Sequence, residues 1–107
     1  MLFCQFGVHA YSGLDLLEQC SENLSGEEQN DARDVDPCRM YIQGIVDGHE
    51  TYVAWAQMSA TYCIPSGTDS DDLRQVFLLW IEERPDTWTY KAASLVTMSL
   101  KEIFPCE

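Results

Sequence analysis

The chain has 107 residues, enough for one domain with one modest core, and its hydrophobic fraction of 46% is ordinary for a globular protein. It carries 18 acidic against 6 basic residues, a formal net charge of −12. That balance argues against nucleic acid and anionic membranes as partners, because both are bound through basic patches, and it is compatible with a basic protein partner.

The first ten residues form a stretch, Met1–Ala10, with no acidic or basic side chain except His9. Within it, Val8-His9-Ala10 resembles the small-x-small site cut by signal peptidase. We interpret residues 1–10 as a truncated signal-peptide remnant and residues 11–107 as a single mature helical domain. The alternative is a short amphipathic extension. Loss of the remnant would also remove Cys4 and leave four cysteines.

A short first helix is predicted next, with Ser12 as its cap and Asp15 in its first turn. Leu14, Leu17 and Cys20 recur at helical spacing along it. The following stretch, residues 21–37, is rich in Gly, Asn, Asp and Glu and is predicted to be an exposed loop. Its acidic cluster is a candidate steering surface for a basic partner and comprises Glu27, Glu28, Asp31, Asp34 and Asp36.

A long second helix is predicted from about Asp36 to Thr61, with Pro37 at its first position. Its broad apolar arc consists of Tyr41, Ile42, Ile45, His49, Tyr52, Val53 and Ala56. We expect His49 to be half-buried and hydrogen-bonded, since its spacing from Asp47 and Glu50 does not suit a metal site.

Two features of this helix allow alternative interpretations. Gly44 and Gly48 have the small-xxx-small spacing that lets helices approach closely, which we interpret as intramolecular packing, with a homodimer seam as the alternative. Tyr52 and Trp55 are expected to fill the core, and the alternative is that they anchor a partner.

Two further helices complete the prediction. Thr68 is expected to cap the third, with a core face of Leu73, Val76, Phe77 and Trp80. Asp86 or Thr87 is expected to open the fourth, with a core face of Ala92, Leu95, Val96, Ser99, Leu100 and Ile103. Trp88, at the start of the fourth helix, is a candidate partner contact. No segment alternates with period two, so the predicted fold is all-α, a compact four-helix up-down bundle.

Four cysteines fall at predicted helix ends, and four cysteines allow three pairings. Up-down topology places the end of the first helix beside the start of the second, and the end of the second beside the end of the fourth. The predicted disulfides are therefore Cys20–Cys38 and Cys63–Cys106. Because disulfides persist in oxidising compartments, they predict an exported protein.

No sequence pattern indicates catalysis. There is no phosphate loop, no metal-ligand spacing and no nucleophile with a nearby base, and the four cysteines already have a structural use. We therefore expect no enzyme activity and no cofactor. No run approaches the roughly 20 apolar residues that would span a bilayer, so no membrane insertion is expected.

Several segments resemble one known family: Leu14–Cys20, Cys38–Asp47 with its Cys-x-x-Tyr-Ile-x-Gly pattern, Cys63–Thr68 followed by Leu73, Pro85, and Phe104-Pro105-Cys106. Together they span residues 12 to 106. The family is that of the Rap/Tai-type immunity proteins, which protect bacteria against type VI-secreted peptidoglycan amidases. The resemblance implies a small helical periplasmic protein, often dimeric, that binds an amidase effector and occludes its catalytic cleft. The alternatives are an envelope scaffold or adaptor and an acid-stress chaperone.

Overall fold

The computed structural model describes residues 10–22 and 36–107. Its four α-helices are α1 (Gly13–Glu22), α2 (Pro37–Ala56), α3 (Ser70–Glu82) and α4 (Ala92–Ile103), and a short 3-10 helix, Pro85–Thr87, lies between α3 and α4. Every pair of α-helices is in contact. Within the described ranges there is no strand, and the one isolated bridge joins Ser12 to Lys91. The predicted all-α, four-helix fold is confirmed.

Reciprocal side-chain caps begin α1 and α3. Ser12 Oγ accepts the Asp15 N–H at 3.1 Å, and the Asp15 carboxylate accepts the Ser12 N–H at 3.0 Å. At α3, Asp69 and Asp72 exchange the same two bonds at 2.9 and 3.1 Å. Thr68 was predicted as this cap, but its hydroxyl donates to a carbonyl of the preceding turn at 2.8 Å. The predicted cap of α3 was therefore wrong by one residue.

The end of α2 lies before the predicted boundary at Thr61. Gln57 adopts a left-handed conformation with φ of 56° and caps the helix after Ala56. The chain then folds back, so that the Thr61 N–H donates to His49 Nε2 at 3.0 Å. Tyr62 stacks on the same imidazole. These contacts hold residues 57–62, the return segment, against α2. Residues 57–61 of this segment were predicted to extend the helix.

The start of α4 is set by α1. The first N–H groups of a helix have no partner inside it. In α1 the N–H groups of Gly13 and Leu14 donate to the carbonyls of Tyr90 and Trp88, at 2.8 and 2.9 Å. These bonds keep residues 88–91 outside any helix, which is why α4 begins at Ala92 and not at the predicted Asp86 or Thr87.

All four helices contribute to one core. Its apolar side chains with at most 1% exposure are Leu16, Cys20, Cys38, Ile42, Phe77, Ile81, Ala92, Leu95, Val96 and Leu100. The predicted core face of α4 is confirmed except for Ile103, which is 47% exposed. Ser99 is fully buried, and its hydroxyl donates to the Val96 carbonyl at 2.8 Å, so its polarity is satisfied.

Two disulfides join the helices at their ends. Cys20–Cys38 connects the last turn of α1 to the first turn of α2, and Cys63–Cys106 connects the segments that follow α2 and α4. The predicted pairing is confirmed. The sequence separations are 18 and 43 residues. In the chain-entropy model, loops of this size stabilise the fold by about 3 and 4 kcal/mol.

The interpretation of Gly44 and Gly48 as intramolecular packing positions is wrong for the part of the chain that the structure describes. Both glycines are exposed, and a Cβ atom built at either would have no neighbour within 4 Å. The reason is orientation: Ile42 and Val46 face the core, and the glycines lie on the opposite side of α2. Their role between molecules remains a prediction.

Candidate partner-binding surface

Four members of the predicted acidic cluster lie outside the described residues: Glu27, Glu28, Asp31 and Asp34. Asp36 is described, and its carboxylate starts α2 by accepting the N–H groups of Cys38 and Arg39 at 3.0 and 3.2 Å. It also forms ion pairs with Arg39 at 3.1 Å and with Arg74 of α3 at 3.5 Å. Asp36 therefore has a structural use, and its partner role stays a prediction.

Trp88 is half-buried and packs against the core. Its indole nitrogen donates to the Ile81 carbonyl at 2.9 Å, close to the end of α3. This bond ties the α3–α4 connection to α3. The contribution of Trp88 to partner binding likewise stays a prediction.

The side chains that most often carry chemistry are occupied by structural contacts. The four described cysteines form the two disulfides, and His49 accepts a backbone N–H at Nε2. Within residues 10–22 and 36–107 there is no group of three His, Cys, Asp or Glu side chains that could hold a metal ion. None of the helices in these ranges is long and apolar enough to cross a membrane.

Tyr62 is the last residue of the return segment and is only 3% exposed. Burial, and secondarily the negative charge of Glu50, raise the pKa of Tyr62 to about 12. Its hydroxyl has no hydrogen-bond partner among the described atoms. The side chain therefore stays neutral at physiological pH and acts through packing on His49.

The exposed side of α2 is unusual for a helix of a small domain. We call it the outward face, and it consists of Gly44, Asp47, Gly48, Thr51, Tyr52 and Trp55. At about 100° per residue, these positions point away from Ile42 and Val46, which are buried. Tyr52 and Trp55 are 60% and 84% exposed, so the expectation that they fill the core is wrong.

The outward face contains a shallow groove of about 380 Å³. It is lined by Asp47, Gly48, Thr51, Tyr52 and Trp55. Asp47 accepts a hydrogen bond from Gln43 at 3.0 Å, and among the described residues no cation is paired with it. Between Arg39 and Arg74 the sequence has no Lys or Arg. The outward face is therefore aromatic and anionic.

A second apolar groove lies between α3 and α4, with exposed Leu79 and Ile103 on its sides. At its rim the Trp80 indole nitrogen donates to Glu102 at 2.8 Å. The Arg84 guanidinium lies 4.4 Å from the Trp80 ring centroid and pairs with Glu102 at 3.2 Å. This groove already holds an indole, a cation and a carboxylate in contact with one another.

The sequence analysis kept partner anchoring by Tyr52 and Trp55 only as an alternative. It did not identify the outward face as one surface, because it assigned Tyr52 to a broad apolar arc with Ile42. The spacing of the small and aromatic residues along α2 would have identified this face. Gly44, Gly48 and Trp55 recur at intervals of four and seven residues, which places them together on one side of α2. That side is centred opposite Ile42 and Val46.

A sequence profile of Rap1a immunity proteins matches residues 12–106, nearly the whole chain. The matched region includes all four helices and both disulfides. Neither the curated proteins nor the solved structures contain a significant match.

Proposed function

The chain belongs to the family of Rap1a immunity proteins, and from this premise we propose that it binds a secreted peptidoglycan amidase and occludes its catalytic cleft. The family match over residues 12–106 is the observation that carries the proposal. The protein has no chemistry of its own in this role. It acts by covering the site that the effector needs to reach the cell wall.

Three features support a periplasmic place of action. The two disulfides are typical of proteins that fold in an oxidising compartment, and the bacterial periplasm is such a compartment. The Val8-His9-Ala10 motif, of which only Ala10 is among the described residues, resembles a signal-peptidase site and supports export. A cell-wall amidase also meets its substrate in that compartment, so an inhibitor is useful there.

The fold suits an inhibitor that binds as a rigid body. Disulfides fix the ends of the helices, so little conformational entropy is lost when the protein is held against a partner. The net charge of −12 favours rapid encounter with a basic effector. The homodimer that the family resemblance implies is part of this proposal.

The first test is whether a peptidoglycan-amidase gene lies beside this chain's gene, and its absence would count against the proposal. The purified product of that gene, the neighbouring amidase, is then used. Release of soluble fragments from purified peptidoglycan is measured while the oxidised protein is added from zero to tenfold molar excess. We expect inhibition that saturates near one protein per effector. In a bacterial host, export of the protein should restore growth when the amidase is sent to the periplasm, and a cytoplasmic version should not.

Unchanged hydrolysis at tenfold excess, together with no growth protection, would contradict the proposal. An envelope scaffold or an acid-stress chaperone would give that result.

A further inference from the structure

The outward face of α2 has an unusual composition for the exposed side of a helix. Opposite the core, such a helix ordinarily presents charged and polar side chains. Here it presents two glycines, which weaken a helix and meet no neighbour among the described residues, and two exposed aromatic rings. A surface that departs from local preference without a packing gain marks a functional site.

The side chains of the outward face favour binding of positively charged groups. The faces of indole and phenol rings attract guanidinium and ammonium groups, and Trp55 and Tyr52 offer both rings to solvent. Asp47 lines the same groove and adds a carboxylate. Gly48 has no side chain, so a partner's backbone can approach α2 closely there.

The α3–α4 groove provides a comparison within the same molecule. There, Arg84 lies over Trp80 and pairs with Glu102, so ring, cation and carboxylate are all present. On the outward face the ring and the carboxylate are present, and the described residues supply no cation. The missing component is the one that a basic partner brings.

A second copy of this chain fits the outward face poorly. Each copy carries a net charge of −12, and two outward faces brought together would bury the Asp47 carboxylate of each copy with no cation from either face to pair with it. The length of the outward face instead suits a short extended segment. Trp55 lies eight residues after Asp47, which is about 12 Å along the helix axis. That length accommodates about four residues of extended chain at about 3.3 Å each.

We propose that the outward face of α2 is the surface that binds the effector, and that its groove receives an extended basic segment of that enzyme. Arginine or lysine side chains of the segment stack on Trp55 and Tyr52 and pair with Asp47. This inference rests on the proposed function, because it assigns a surface and a contact chemistry to the same partner.

The test is a calorimetric titration of the neighbouring amidase with the oxidised full chain and four variants. Trp55→Ala should weaken binding by at least about 30-fold, as for a central aromatic anchor. Gly48→Leu fills the groove while leaving both aromatic residues in the chain and should weaken binding by at least about 10-fold. Asp47→Asn should weaken it by about 3- to 10-fold at low salt, and less as salt is raised.

Leu79→Ala is the matched control, because Leu79 is an apolar side chain, 69% exposed, on α3. It should change affinity by less than about twofold. Trp55→Ala, Asp47→Asn and Leu79→Ala should melt within about 3 °C of the wild type, since none removes a buried contact. Gly48→Leu should melt at or above the wild type, because leucine is a better helix former than glycine. Circular dichroism checks this before any titration.

Binding of the wild-type protein to the amidase distinguishes a failure of the proposed function from a failure of the outward-face assignment. If the wild type does not bind the amidase, the proposed function fails, and this inference fails with it. If the wild type binds while Trp55→Ala and Gly48→Leu bind equally well, only the assignment of the outward face is overturned. It is also overturned if light scattering shows a wild-type dimer that Trp55→Ala converts to a monomer with effector affinity unchanged.

Discussion

The imidazole of His49 and the phenol ring of Tyr62 stack with their centroids 4.0 Å apart and their planes tilted by 21°. The same imidazole accepts the Thr61 N–H at 3.0 Å. One histidine thus makes a ring contact and a backbone hydrogen bond to adjacent residues. Together these contacts hold the return segment against α2 and position Cys63 for its disulfide.

We expect His49→Ala to loosen the return segment without unfolding the bundle. The loss of one hydrogen bond and one stacking contact should lower the free energy of unfolding by about 1–2 kcal/mol. Amide hydrogen exchange should show faster exchange at Thr61, while amides in the middle of α4 keep their protection. An unchanged exchange rate at Thr61 would show that His49 does not hold the segment.

Tyr62→Phe tests the buried hydroxyl. The hydroxyl has no partner among the described atoms, so its removal should leave stability at pH 7 unchanged or raise it by up to about 1 kcal/mol. Guanidinium unfolding at pH 7 measures this difference. Tyr52→Phe is the control, because it removes a hydroxyl from an exposed ring.

The same residue sets an alkaline limit on stability. Burial raises the pKa of Tyr62 from 10.0 to about 12, so the folded state keeps the proton that the unfolded state loses. The contribution of Tyr62 to the free energy of unfolding is therefore full below pH 10 and is lost as the pH rises toward 12. Wild-type unfolding free energy should therefore fall more steeply over this range than that of Tyr62→Phe. Parallel pH profiles for the two proteins would contradict this assignment.

Glycine substitutions should have opposite effects at two sites. Gly44→Ala should stabilise the protein by about 0.5–1 kcal/mol, because alanine is the better helix former and its Cβ meets no neighbour. Gly13→Ala should destabilise it, because its Cβ would collide with Leu95 Cδ1 and lie 3.3 Å from the Trp88 carbonyl oxygen. Thermal unfolding of the two variants measures the contrast, and a loss of stability in Gly44→Ala would show that Gly44 packs against something.

The two disulfides should differ in their resistance to reductants. Cys20 and Cys38 are fully buried, whereas Cys63 and Cys106 are exposed. Under native conditions a low concentration of dithiothreitol should open Cys63–Cys106 first, since thiolate attack requires access to sulfur. Alkylation followed by peptide mass spectrometry identifies the bond that opens. Equal rates for both bonds would contradict the difference in burial.

Local and topological features were predictable from the sequence. The Ser12 and Asp15 cap needs only residues three apart, and the disulfide pairing followed once four helices were traced in up-down order. The core face of α4 followed from its periodicity. In each case, neighbouring residues or helix order carry the information.

The limits of α2 could not be predicted in this way. Periodicity identifies an apolar arc, but it does not reveal where the helices that cover that arc end. Val46 is the last buried residue of α2, and Tyr52, further along the same helix, is mostly exposed. The end at Ala56 depends on contacts from His49 to Thr61 and Tyr62, and a helical pattern does not indicate a chain that turns back.

The disulfides also divide the chain into covalent rings. One ring closes between Cys20 and Cys38 and contains the acidic stretch, and the other closes between Cys63 and Cys106 and contains α3 and α4. A single protease cut inside either ring leaves one covalently connected molecule until it is reduced. Residues 39–62 form the only bridge between the rings. The face assigned to the effector thus lies on the stretch where a single cut separates one disulfide-closed ring from the other.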